Sequence, residues 1–277
     1  MCSDFVLKIL WGIFMEIINN NIDGGKGFDW GRTSEDYAKF RDIYPEVFYQ
    51  KLIKMGLCVE GQHVLDIGTG TGVLPRNLYK YGAVFTGVDI SENQISQARR
   101  LSEEAGMNIE FIVSPAEEIA LPDNQFDLVT ACQCYAYFDK DIIFQKIRKL
   151  LKSGGHFCIL YVVYLTDESE IAFNSERLVL KYNPHWSAGG MKRYTYELPK
   201  QAVGLFEVED SFFYDVSIPF TRESWHGRMK TCRGIGASIL TTDEIEEWEA
   251  EHIAYLKTVP QEFEMPHFVT TFNLLAV

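Results

Sequence analysis

The chain has 277 residues, 47% of them hydrophobic, which is enough to bury a sizeable core in one large or two small domains. A formal charge of -13, with no Lys/Arg cluster to offset it, argues against a nucleic-acid partner and against an anionic membrane surface. Cysteines at 2, 58, 132, 134, 158 and 232 are scattered through a chain too long to need staples, so they read as reduced thiols of a cytoplasmic protein.

Phe5 to Ile18 is strongly apolar, but Asp4 stands where an export signal needs a basic start, and Lys8 and Glu16 interrupt the run. It is too short and too charged for a bilayer span. It reads either as a helix packed on the domain or as residues translated from a start upstream of Met15. Asn19 to Gly27 is polar and glycine-rich, a flexible connector that closes an N-terminal segment over residues 1–29. Ser34 to Met55 has helical character broken at Pro45, giving two short helices within 30–56.

From Gln62 apolar strands alternate with amphipathic helices, the pattern of a parallel sheet covered on both faces. Strands are expected at His63 to Ile67, Ala83 to Asp89, Asn108 to Val113, Phe126 to Cys132 and Phe157 to Val163. Helices fall at Val73 to Tyr81, after Ser91 with Gln94 at capping spacing, and after Asp139, where Gly154-Gly155 stops the last one. The alternation fails between Leu165 and Gln201, so 165–204 is an insertion. Beyond it Phe206 to Ile218 is strand-like and Arg222 to Cys232 helical. Thr241 to Leu256 is an amphipathic helix with a Thr241/Glu244 capping box, and Phe268 to Val277 is a last strand.

Residues 64–72 read Val-Leu-Asp-Ile-Gly-Thr-Gly-Thr-Gly, a strand running into three alternate glycines. Glycines suit a sharp turn that lies against a ligand with no Cβ in the way. In a nicotinamide-binding turn the spacing is G-x-G-x-x-G, with the acid about 20 residues later. Here Asp66 stands two residues before the first glycine, where it would oppose a pyrophosphate but suits an ammonium group.

Asp66-x-Gly68-x-Gly70-x-Gly72 resembles the first motif of class I S-adenosylmethionine-dependent methyltransferases. Over residues 30–163 four further motifs follow at that family's spacings. Asp89 matches the acid that accepts both ribose hydroxyls, and Ile90 lies where the adenine ring would rest. Ser114-Pro115-Ala116-Glu117 looks like the adenine-edge loop. Phe126-Asp127-Leu128-Val129 with Cys132-Gln133 looks like the strand end that meets the methionine moiety. Leu150 to Gly155 resembles the turn before strand five, with Ser153 where proline is usual.

The resemblance implies a doubly wound Rossmann-like α/β fold. Its seven-stranded, mostly parallel sheet would carry an antiparallel last strand and a cap after strand five. The methyltransferase domain would occupy 30–277, with its cofactor core at 62–163 and C-terminal strands and helices at 205–277. The cofactor would be S-adenosyl-L-methionine. Its site would comprise Tyr37, Arg41, Asp66, Gly68, Thr69, Gly70, Asp89, Ile90, Gln94, Ala116, Glu117, Cys132 and Gln133. Arg41, one helical turn from Tyr37 in a lid-like segment, could clamp the cofactor's carboxylate or pair with Asp42 or Glu46.

Tyr135, Tyr137, His185, Trp186, Trp225 and Arg228 are candidates to meet a small-molecule methyl acceptor, although the aromatic residues also suit a core. Cys132 and Cys134 lack a second ligand pair, so no metal is expected. In-line methyl transfer requires alignment rather than a fixed triad, and no catalytic residue is assigned. Two other readings stay open, a non-catalytic S-adenosylmethionine-binding module and a nicotinamide-dependent oxidoreductase.

Overall fold

A computed structural model describes residues 5–10 and 14–277. Two compact units divide the chain: 1–43, 163–192 and 215–268 form the first, and 44–162, 193–214 and 269–277 the second.

The second unit carries the alternating pattern. α2 (Glu46–Lys54) precedes β3 (His63–Ile67), which leads through the glycine turn into α3 (Val73–Leu78). β4 (Val84–Asp89), α4 (Glu92–Glu104) and β5 (Glu110–Val113) follow. Then come β6 (Phe126–Cys132), α5 (Lys140–Leu150) and β7 (Leu151–Tyr164), whose last two residues belong to the first unit.

β3 pairs in parallel with β4 and with β6, β4 with β5, and β6 with β7. β3 and β6 are apolar almost throughout, because both of their faces are covered. The expected stop at Gly154-Gly155 is absorbed into β7, where the pairing with β6 shifts register between Phe126 and Leu128.

The full sheet order is β5-β4-β3-β6-β7-β9-β8, with β8 at Phe206–Thr221 and β9 at Glu262–Ala276. The amide of Leu165 bonds the carbonyl of Pro266, and Asn273 meets His156, so β9 runs antiparallel to β7. Asn273 also bonds Glu209, and Ser217 bonds Glu264, so β9 opposes β8 in the same sense. The last strand in sequence is therefore the antiparallel one.

In the first unit β1 (Phe5–Leu10) and β2 (Phe14–Asn19) form an antiparallel hairpin. Helices α1 (Ser34–Phe40), α6 (Glu170–Tyr182), α7 (Arg222–Lys230) and α8 (Thr242–Leu256) complete it. The reciprocal Thr241/Glu244 capping box is present on α8, and Thr221 with Ser224 makes another on α7.

Two expectations are corrected here. The N-terminal apolar run lies partly outside the described residues, and where it is described it forms strands, not a helix. The stretch read as a flexible connector is anchored. Asp23 is only 4% exposed, its carboxylate accepts from the Arg233 guanidinium and from the amide and hydroxyl of Ser187, and Ile17 bridges to Phe28. A buried charge needs such a partner, and polar composition alone does not reveal one 210 residues away.

Candidate functional site

The glycine turn leaves the C-terminal end of β3 at the centre of the parallel strands, where open α/β sheets place their ligand crevice. Gly68, Gly70 and Gly72 all have left-handed backbones, at φ +64°, +56° and +72°. A Cβ on Gly68 would lie 2.8 Å from the Cys134 side chain, and one on Gly72 3.0 Å from the Phe111 ring. Both conformation and space therefore demand glycine.

Two carboxylates hold this turn. Asp66 lies opposite Thr130 in the β3/β6 register, and its oxygens accept from the Thr130 hydroxyl at 2.6 Å and the Thr69 hydroxyl at 2.7 Å. It is 2% exposed, and burial pushes its carboxyl up to about 6 despite these two hydrogen bonds. Asp66 thus sets the shape of the turn. Asp89, half-buried at the end of β4, accepts from the amide of Gly70 at 2.8 Å and from that of Ser91 at 2.9 Å. Burial raises its carboxyl above the usual range, against the opposing pull of those amides. Two carboxylate oxygens offer about four acceptor directions, so capacity remains beyond these amides.

Around this pair lie the other expected residues of the second unit. Ile90 is half-buried, Ala116 buried, and Gln94 buried in the first turn of α4, whose start Ser91 caps. Glu117 accepts from the amide of Asp139 at 2.9 Å, and burial lifts its carboxyl. Gln133, directly after β6, has φ +64°, uncommon for a residue with a side chain. Its amide donates to the carbonyl of Leu160 and its side chain to that of Val162, which holds the conformation against β7. The Cys132 thiol is 3.6 Å from the Tyr44 hydroxyl and is pushed up to about 12 by burial.

A family model described as a methyltransferase domain matches residues 59–200, just over half of the chain. The chain belongs to the class I S-adenosylmethionine-dependent methyltransferases. A ubiquinone biosynthesis O-methyltransferase of Coxiella burnetii is 33% identical over 106 residues, which are 38% of this chain and 45% of that relative. The methyltransferase phqN of Penicillium fellutanum is 35% identical over 114 residues, 39% of this chain and 34% of its own. The chain thus spans less than half the length of these curated relatives. The solved structure of YcgJ from Bacillus subtilis shares the fold with a TM-score of 0.54 at 19% identity, covering 84% of this chain and 99% of that one.

This methyltransferase keeps several of its expected acceptor residues in its cores. Tyr135 is buried edge-on to Phe144, Phe157 and Tyr196, with its phenol pushed up to about 12, and Tyr137 packs on the same cluster. In the first unit Trp225 is fully enclosed, its indole N–H donating to the Ser175 hydroxyl at 2.9 Å. Trp186 is buried as well, whereas His185 is exposed. Trp186 and Trp225 thus pack in the interior of this unit, the alternative that their aromatic rings also suited.

Tyr37, Arg41 and Arg228 belong to the first unit with these tryptophans. The Nε of Arg41 donates to the Thr231 hydroxyl at 2.7 Å and its Nη2 to the Thr231 carbonyl at 3.0 Å, while its guanidinium lies 5.0 Å from the Tyr37 ring centre. Thr130 and Thr231 do work that sequence reasoning passed over. Only the register of β3 with β6 puts Thr130 beside Asp66. Among the described residues no group of three or more His, Cys, Asp and Glu side chains is placed to hold a metal ion, and no helix is long and apolar enough to cross a membrane.

Proposed function

We propose that this chain binds S-adenosyl-L-methionine at the glycine turn and transfers its methyl group to a small-molecule acceptor by in-line displacement. The observation that carries the reading is the linkage of the turn to Asp89 through the Gly70 amide, which fixes a carboxylate with spare acceptor capacity beside a backbone stripped of Cβ atoms.

The residues fit the group. Asp89 would take the ribose hydroxyls, Ile90, Ala116 and Glu117 would border the adenine, and Cys132 and Gln133 would face the methionine portion. Asp66, Gly68, Thr69, Gly70 and Gln94 would hold the turn and the start of α4. When bound, the cofactor supplies a methyl already activated on sulfur. The protein's task is then to align acceptor and methyl and to exclude water.

A small acceptor in a cytosolic setting is favoured by the strong negative charge, by the thiols of the described cysteines, and by a relative named for ubiquinone biosynthesis. Calorimetric titration with S-adenosylhomocysteine tests the cofactor assignment: heat and thermal stabilisation are expected, and neither at millimolar ligand overturns it. Transfer of a labelled methyl to a small molecule then separates an enzyme from a binding module.

A further inference from the structure

α7 presents Trp225, Gly227, Arg228 and Met229 to the interior of the first unit. Gly227 has no side chain because a Cβ there would run into the Phe40 ring, and this close approach seats α1 against α7. The approach brings two arginines into one electrostatic neighbourhood.

Arg228 is 9% exposed, its Nε is fully buried with no hydrogen-bond partner, and no described residue accepts from the rest of its guanidinium. The guanidinium lies 5.3 Å from the Tyr164 ring centre. Burial and the positive charge of Arg41 bring it down to about 10, which still leaves it protonated at neutral pH. Glu176 also feels this charge, but it forms no ion pair with Arg228 and accepts instead from the Gly190 amide at 2.9 Å. Arg41 spends one edge of its fork on Thr231 and keeps Nη1.

A buried, unpaired guanidinium costs stability, and the same unit shows the alternative, since Arg233 is paired with Asp23. An Arg228 retained without a carboxylate is therefore explained by a carboxylate that arrives from outside. The geometry points to Arg228, beside the Tyr164 ring, as a site of the first unit that binds the carboxylate of a small organic acid. The donors of Arg228 suit a planar, singly charged, two-oxygen group, which a guanidinium fork can bind through both oxygens.

The test compares full-length wild type with Arg228→Met and Arg228→Lys. The probes are a library of small mono-, di- and tricarboxylic acids with inorganic phosphate as control, at constant ionic strength. At least one carboxylate should raise the melting temperature of wild type, and Arg228→Met should weaken it about tenfold or more, as expected for loss of a charge-assisted fork. Arg228→Lys should recover part of the loss, since it keeps the charge without the fork. Without ligand, Arg228→Met should melt at or above wild type.

Absence of carboxylate binding, equal binding by wild type and Arg228→Met, or preference for phosphate overturns the proposal. So does a lower melting temperature for unliganded Arg228→Met, which would make the arginine structural. S-adenosylhomocysteine and methylthioadenosine, which lacks the amino-acid portion, separate the two possible sources of a carboxylate. If Arg228→Met weakens the first and spares the second, the carboxylate is the cofactor's and the assignment to a separate organic acid fails. Failure of wild type to bind either nucleoside defeats the methyltransferase reading and leaves the carboxylate measurement standing separately.

Discussion

The second unit buries carboxylates without a guanidinium, whereas the first buries guanidinium groups beside carboxylates, and each unit handles its charges differently. Asp66 and Asp89 are surrounded by donors of the chain itself, hydroxyls for one and amides for the other. In the first unit Arg233 has its carboxylate and Arg228 does not. A buried charge whose hydrogen bonds are all supplied, as at Asp66, belongs to the architecture, whereas one with capacity left over, as at Asp89 and Arg228, marks a place where something else binds.

The largest effect that would break this comparison comes from Arg233. Arg233→Met should destabilise the protein by about 3 to 5 kcal/mol, because it strands Asp23 in a buried setting. Urea unfolding of Arg233→Met beside Arg228→Met measures the contrast, and equal losses would erase the distinction between a paired and an unpaired arginine.

Next comes Asp89. Asp89→Ala removes an acceptor of charge-assisted hydrogen bonds worth about 1.5 to 3 kcal/mol each, so its affinity for S-adenosylhomocysteine should fall at least about tenfold by calorimetry. An unchanged affinity would assign the carboxylate to the turn alone, as for Asp66.

Asp66 gives a smaller effect, dependent on pH. Its carboxyl is raised from 3.8 to about 6 in the folded protein, so the folded state holds its proton more tightly than the unfolded chain. That contribution is complete below the unfolded value and is lost as pH rises through the folded one. Between pH 5 and 7 wild type should therefore lose on the order of 1 to 2 kcal/mol relative to Asp66→Asn, measured by urea unfolding at both pH values. A flat difference would show that its two threonine donors offset the burial.

The smallest effect sharpens the picture of the first unit. Thr241→Ala deletes the cap of α8 and should cost about 1 kcal/mol in the same assay. A much larger loss would mean that α8 carries more of this unit's stability than its capping box alone explains.

The parallel half of the fold was legible because each of its signals is local. Strand runs, capping pairs and the three alternate glycines lie within a few residues of one another, and the Asp89 position follows from the strand after them. The first unit was less legible because its decisive facts join distant residues. Asp23 reads as part of a polar linker until Arg233 is beside it, and Arg228 reads as a flanking charge on an apolar stripe until its lack of a partner is seen. The N-terminal apolar run illustrates a different limit, since a short run of this kind is compatible with helix or strand and its pairing decides between them. In the candidate site the glycines and Asp89 were found by pattern, whereas Thr130 became visible only through register.

The chain passes between the two units at 43/44, 162/163, 192/193, 214/215 and 268/269, and three of these passages fall inside β7, β8 and β9. Neither unit is therefore a continuous stretch of the gene. Trimming past residue 43 from the N-terminus, or past residue 269 from the C-terminus, would remove pieces of both, and an insertion placed in one of those strands would break hydrogen-bonded ladder rather than a linker. A genetic dissection of this protein must accordingly proceed by point substitution, and a partner domain is better fused through an exposed loop than spliced at either boundary in sequence.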